Sequence, residues 1–225
     1  MALSNRKQSL LKLSIVLLAL WPAFSLLYRW QYSGLGANSL AVLISETGKT
    51  ALWLFVLTLS ITPARRLLSA LMILLRRPYG KRLADWNWLI RLRRSLGVLS
   101  FLYASLHFVF YFALDLGMDL VELRYEWSQK PYIAVGLLAL LLMLPLFLTS
   151  TDWAMRQLKR NWRRIHRLMY PIAILLAVHY LWLVKPGLKD AWPWAGIIAL
   201  LLLYRVLVFT GLIFRRNDNG MEVTR

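Results

Sequence analysis

The chain contains no cysteine. Disulfides, thiolate-ligated iron–sulfur clusters, cysteine-based zinc sites and covalent haem attachment through C-x-x-C-H are therefore excluded. Acidic residues are scarce too: 10 Asp and Glu stand against 28 Lys and Arg, for a formal net charge of +18. Histidine occurs three times. There is no Gly-rich phosphate loop, no internal repeat and no low-complexity tract. What the chain has in abundance is apolar surface: 59% of its 225 residues are hydrophobic and its mean hydropathy is +0.54. Such a chain cannot leave its surface in water, so the bilayer is its solvent and membrane lipid its first partner. A soluble protein of this charge would suggest nucleic acid. Here the bases fall between apolar runs, which membrane topology explains without a nucleic-acid partner.

Crossing a hydrocarbon core of about 30 Å takes roughly 20 mostly apolar residues. Six stretches qualify, at approximately 11–28, 40–61, 95–114, 131–149, 165–184 and 192–212. The fold class they predict is all-α, a polytopic membrane bundle of about six transmembrane helices. Residues 1–225 form a single integral-membrane domain in this reading, with no soluble catalytic domain attached. The second stretch is the weakest, because Glu46 and Lys49 stand near its start. Its dry part is expected to begin at Thr50, leaving a span that is short, tilted or partly buried in protein. The first follows Arg6, Lys7 and Lys12 with no convincing small-x-small cleavage site after it, so it reads as a retained span.

Cytoplasmic segments are enriched in Lys and Arg. With the N-terminus inside, 22 of the 28 bases fall on the inner side against only Asp85, Asp152, Asp218 and Glu222. On the outer side six bases balance Glu46, Asp115, Asp119, Glu122, Glu126 and Asp190. Both termini are thus expected in the cytoplasm. Trp30, Trp127, Trp192 and Trp194 fall at the outer boundary and Trp86, Trp88, Trp153 and Trp162 at the inner one, where indole rings serve as interfacial anchors.

All three histidines, His107, His166 and His179, lie within or at the edge of spans, where ionisable groups are costly and usually mark a function. His107 lies 13 residues beyond Arg94 and His179 15 beyond Arg164, so both sit about 20 Å from the inner boundary on helices running the same way. Two imidazoles meeting at one level of a bundle can ligate one haem iron axially. Without cysteine the haem is held non-covalently, as haem b. His166 stands 13 residues below His179, a spacing that points the two away from one common face of an ideal helix. Pro171 lies between them and is a place for a kink. Opposite His166 the third span offers Arg91, Arg93 and Arg94 but no histidine, so a second haem would need another axial partner. His166 has three roles open to it: such ligation, a quinone or flavin contact, or an interfacial cap. Arg94, Arg163, Arg164 and Arg167 are the candidate partners for haem carboxylates at that level, although a basic inner loop is what topology alone requires. Phe101, Tyr103, Phe108, Phe110 and Tyr111 around His107 are candidate porphyrin-lining rings or plain core.

The runs TGKTALWLFVLTLSITPARR (47–66), RRSLGVLSFLYASLHFVFY (93–111) and LTSTDWAMRQLKRNWRRIHRLMYPIAILLAVHYLW (148–182), in that order, resemble the MsrQ/YedZ family within the ferric-reductase-like transmembrane superfamily. The resemblance implies a six-span bacterial inner-membrane subunit holding haem b at His107, His166 and His179, with FMN as a further family cofactor at no assignable position. It also implies electrons taken from the quinone pool or a flavin reductase and passed to a periplasmic molybdenum-containing methionine-sulfoxide reductase, for repair of oxidised proteins. Ferric reductases and NADPH oxidases carry two histidines on each of two helices and a flavin–nicotinamide domain. This chain has a pair on one helix and a single histidine on the other, which argues for a separate donor. Two rival readings are a stand-alone ferric or quinone reductase of the membrane and a haem-free scaffold or transporter. The acids Asp115, Asp119, Glu122 and Glu126 form a candidate docking loop for a periplasmic partner.

Overall fold

Inside a bilayer no water is available to bond backbone N–H and C=O groups, so each apolar run must satisfy its own ladder as a helix. The computed structural model describes residues 5–34, 36, 38–183 and 191–210, and among them the regular elements are all helical. Asp190, Arg215, Arg216, Asp218, Glu222 and Arg225 lie outside the described residues, as do the last positions of the fifth and sixth expected spans. Six helical segments are long and apolar enough to cross a membrane: Leu13–Tyr32, Ser39–Leu74, Leu83–Asp115, Pro131–Leu148, Arg160–Leu183 and Ala191–Phe209.

The helices are α1 (Asn5–Tyr28), α2 (Ser39–Leu74), α3 (Asn87–Val109), α4 (Leu120–Gln129), α5 (Pro131–Leu148), α6 (Asp152–Leu158), α7 (Arg160–Ile165), α8 (Met169–Leu183) and α9 (Ala191–Phe209). Short α4 joins the third and fourth spans. A loop with α6 joins the fourth to the fifth, which is α7 and α8 together. The bundle is built on two close helix pairs, α2 with α3 and α5 with α8, with α9 against α8 and α2 and α1 outside α2 and α3. Leu54, Ile61, Leu92, Leu96 and Leu99 form one core. Leu59, Met143, Ile172, Ala173 and Ile198 form the other.

Of the alternatives for the second span, partial burial in protein is the one observed, and the span is not short. α2 is the longest helix, 36 residues or about 54 Å, and it is the most buried of the six. Thr47 is fully buried and returns its hydroxyl to Leu43 O at 2.6 Å. Glu46 and Lys49 sit 3.7 Å apart on the half-exposed side of the same turns. The charges are thus tolerated because the opposite face of the helix is held by protein rather than lipid.

Buried hydroxyls fasten the helices at defined levels. Ser100 on α3 donates to Ala51 O on α2 at 2.8 Å. Tyr103 donates to Ala19 O at 2.9 Å and accepts from Ala23 N at 3.2 Å. Its hydroxyl therefore enters the α1 ladder beside Pro22, whose missing amide already weakens that turn. In α2, Pro63 leaves the Leu59 carbonyl without its amide donor, and Arg205 Nη2 of α9 reaches that oxygen at 3.4 Å.

Candidate functional site

His107 comes from α3 and His179 from α8, and their rings face each other with centres 6.5 Å apart and planes at 84°. Each is set by its partner helix in the same way. His107 Nδ1 lies 2.8 Å from Ile44 O on α2, and His179 Nδ1 lies 2.6 Å from Tyr132 O on α5. A carbonyl only accepts, so both Nδ1 atoms carry the proton and both Nε2 atoms keep a free lone pair.

The approach works because of a glycine four residues on, the residue whose amide bonds the same carbonyl in a helix. A Cβ on Gly48 would meet His107 Nδ1 at 2.9 Å, and one on Gly136 would meet His179 Nδ1 and Cε1 at 2.6 Å. Any side chain there would displace the ring. The pairs Ile44/Gly48 and Tyr132/Gly136 are the part of the site that sequence reasoning missed. Their readable trace is a lone glycine inside an apolar helix, level with a histidine on the neighbour.

Two metal–imidazole bonds of about 2 Å each, with a ring radius at either end, give roughly 6 Å between ring centres. The observed 6.5 Å between ring centres is compatible with that spacing, and the Nε2 atoms are the ones left to ligate because each Nδ1 is bonded to a carbonyl. Among the described residues no group of three or more His, Asp or Glu side chains is placed to hold a bare ion. A metal carried in a tetrapyrrole needs no more than two protein ligands. The donor set and spacing fit a haem iron with two axial histidines.

His166 is not part of this pair. It opens the 3-10 turn His166–Leu168 that separates α7 from α8, its Nδ1 bonds Trp162 O at 3.1 Å, and its ring stacks on Trp162 at 4.0 Å. The kink expected from Pro171 is present in the turn before it: the proline leaves the Arg167 carbonyl without its helical donor, and the 3-10 turn His166–Leu168 stands there, with Pro171 in the first turn of α8. Trp162 is not a plain interfacial anchor, since its indole donates to Thr149 O at 2.9 Å. Trp30, Trp127, Trp153 and Trp192 are exposed as expected of anchors.

The arginines named from sequence stay at the basic end of the bundle. Arg94 is ion-paired with Asp152, while Arg163, Arg164 and Arg167 are exposed. The aromatic cluster also divides. Phe101 stacks on Phe147 of α5, Phe108 stacks on Phe112 of its own helix and Tyr103 bonds α1. Past Val109 the third span widens into a π-helical stretch, Phe110–Asp115, of the kind that often accompanies functional sites. Tyr111 lies in it with its hydroxyl buried and without a partner. In the acidic loop, Asp119 caps α4 through Val121 N and Glu122 N. Glu126 accepts from Lys130 at 2.5 Å and raises that amine above its ordinary range. Asp115 and Glu122 are exposed.

A bundle of six apolar helices with two imidazoles brought together, each bonded through Nδ1 to a carbonyl, is a multi-pass membrane protein with a candidate cofactor site. Residues 47–177 match the family of the ferric reductase like transmembrane component, a stretch that holds His107 and His166 and ends two residues before His179. Its relatives include the protein-methionine-sulfoxide reductase heme-binding subunit MsrQ of Xanthomonas campestris pv. campestris (strain B100), 43% identical over 76% of this chain and 72% of that protein. MsrQ of Xanthomonas axonopodis pv. citri (strain 306) is 41% identical over 79% and 75%. That of Azospira oryzae is 38% identical over 90% and 81%. The chain belongs to the MsrQ family of ferric-reductase-like transmembrane proteins.

Proposed function

We propose that this protein is the haem-bearing membrane subunit of a methionine-sulfoxide reductase system. It takes electrons from the quinone pool or a flavin reductase and delivers them across a bacterial inner membrane to a periplasmic molybdenum-containing reductase. The observation that carries the reading is the His107–His179 pair, facing at 6.5 Å with each Nδ1 bonded to a carbonyl. The names of the relatives supply the haem and the reductase system. FMN rests on the resemblance alone.

When bound, haem b supplies a one-electron centre cycling between ferric and ferrous iron. The protein's own part begins with Ile44 and Tyr132, whose carbonyls hold the rings in one tautomer and so keep Nε2 basic and aimed. Gly48 and Gly136 let the rings sit close to their helices. The surrounding apolar helices exclude water, which favours the state of lower charge. The basic loops set both termini in the cytoplasm, so the histidine level lies in the outer half of the membrane, near Asp115 and Glu122 and the periplasmic partner.

Oxidised and dithionite-reduced spectra of the purified, haem-replete protein test the reading. A b-type spectrum is expected, lost in His107→Ala and His179→Ala and kept in His166→Ala. Reduced protein should reoxidise faster with the periplasmic reductase and methionine sulfoxide than with ferric chelates. A well-folded protein without haem would overturn the proposal, and faster reoxidation by chelates would replace its acceptor.

A further inference from the structure

Among the described residues no acid pairs with Arg93 or Arg205, two arginines inside the membrane-spanning part. Arg93 of α3 meets Met169 Sδ at 3.7 Å, and sulfur is a weak acceptor. The groups whose charges act on it include Arg205 of α9, Arg65 of α2 and the phenol of Tyr170 on α8, and Arg93 in turn acts on His166. Arg205 uses one nitrogen on Leu59 O at 3.4 Å, the carbonyl freed by Pro63, and a guanidinium has five N–H groups to place. Two other arginines at this end have full partners. Arg65 is held by Trp86 O at 3.1 Å, Leu83 O at 2.8 Å and Asn87 Oδ1 at 2.5 Å, and Arg94 by Asp152. Of the described acids at this end, Asp85 accepts from the Arg82 amide and Asp152 pairs with Arg94. One residue before Arg205, the Tyr204 hydroxyl is buried without a hydrogen-bond partner.

Ionised groups inside a membrane protein pair with one another or mark a ligand. Two guanidiniums repelling each other in a low dielectric do the opposite of pairing. We propose that Arg93 and Arg205 form a phosphate-binding site between α2, α3, α8 and α9 at the basic end of the bundle, for the anionic phosphate of a lipid headgroup or of a phosphate-bearing cofactor. A phosphate carries up to two negative charges and several acceptor oxygens, so one group answers both forks where a single carboxylate answers one. Basic pockets between transmembrane helices at the cytoplasmic side commonly take such headgroups. The anion is not carried by a macrocycle centred on the histidine pair: Arg93 is 14 residues from His107 on the same span, about 21 Å away. The site therefore stands whether or not the pair holds haem.

The test compares wild type, Arg93→Gln, Arg205→Gln and the charge-keeping Arg93→Lys, extracted from native membranes in neutral detergent and washed to constant phosphorus. About one tightly held phosphorus-bearing ligand per wild-type chain is expected, falling roughly ten-fold in both Gln variants and much less in Arg93→Lys. Haem content per chain should stay the same throughout. Phosphorus that partitions into organic solvent identifies a lipid; phosphorus that stays in water with flavin fluorescence identifies a cofactor. As a measurement independent of the variants, wild type in phosphatidylcholine nanodiscs should gain thermal stability when cardiolipin or FMN is titrated in. Equal phosphorus in wild type and both Gln variants, or none in wild type with no response to either titrant, would overturn the site. Loss of half the haem in the Gln variants would do so as well, by making the arginines partners of a second haem.

Discussion

At the residue scale the site depends on two hydrogen atoms, the side chains of Gly48 and Gly136. A methyl group at Gly136 would stand 2.6 Å from the His179 ring, and one at Gly48 2.9 Å from that of His107. Neither ring can retreat without losing its carbonyl, because the same carbonyl is bonded by the glycine amide. Overpacking of this kind costs about 1–3 kcal/mol, so Gly136→Ala should lower haem occupancy roughly ten-fold, with Gly48→Ala milder. The measurement is haem per chain after refolding-free purification. Gly97 is the control, since its added Cβ would meet only Thr58 Cγ2 at 3.9 Å. Gly97→Ala should keep full haem and gain up to about 1 kcal/mol in helix propensity. Equal haem in Gly97→Ala and Gly136→Ala would detach the glycine from the site. The hydrogen bonds of the histidines make a second expectation. His179→Gln should keep helix packing yet lose the metal, whereas a Tyr132 substitution should leave haem bound, because the carbonyl that orients His179 belongs to the backbone.

At the scale of elements, Tyr103 holds α1 against α3 through both a carbonyl and an amide of α1. Tyr103→Phe keeps the ring in its core and removes only the bridge. A cost of about 1–3 kcal/mol is expected from the groups left unpaired, read as earlier unfolding in denaturing detergent with the haem spectrum unchanged. A spectrum that changed with stability intact would instead tie α1 to the cofactor. Hydropathy alone reveals each of the six spans, because a twenty-residue apolar run has few other solutions. It places the ends of α2 poorly, since Glu46 and Lys49 look forbidding until the buried face of that helix is known. Pro171 marks the kink of the fifth span, which falls in the turn before the proline, at His166–Leu168. The depth match of His107 and His179 is legible because rise per residue is constant along a helix. Which carbonyl each ring bonds is not, because that depends on the rotation of two helices about their axes. For the same reason the row Arg91, Arg93, Arg94 reads as a uniform basic edge, although in the fold Arg94 faces an aspartate and Arg93 faces the bundle.

At the scale of the whole molecule, orientation decides what the histidine pair can serve. The basic loops all lie at one end, and Lys and Arg near span ends fix the side retained in the cytoplasm. The absence of cysteine makes this directly measurable, because the background for thiol labelling is zero. Ser128 near the end of α4 and Gln157 in α6 are both exposed, in connections at opposite ends of the bundle. Ser128→Cys should react with a membrane-impermeant maleimide in intact, outer-membrane-permeabilised cells, and Gln157→Cys only after the inner membrane is opened. The positions follow from the chain path: Ser128 lies between the third and fourth spans, Gln157 between the fourth and fifth, so a single crossing separates them. The opposite labelling pattern would move the histidine level to the cytoplasmic half. It would bring the Arg93–Arg205 pair to the periplasmic side, away from a cytoplasmic flavin donor, and leave the pair no short route to a periplasmic reductase. Labelling of both sites from outside would mean that α5 does not cross, and the six-span bundle itself would fall.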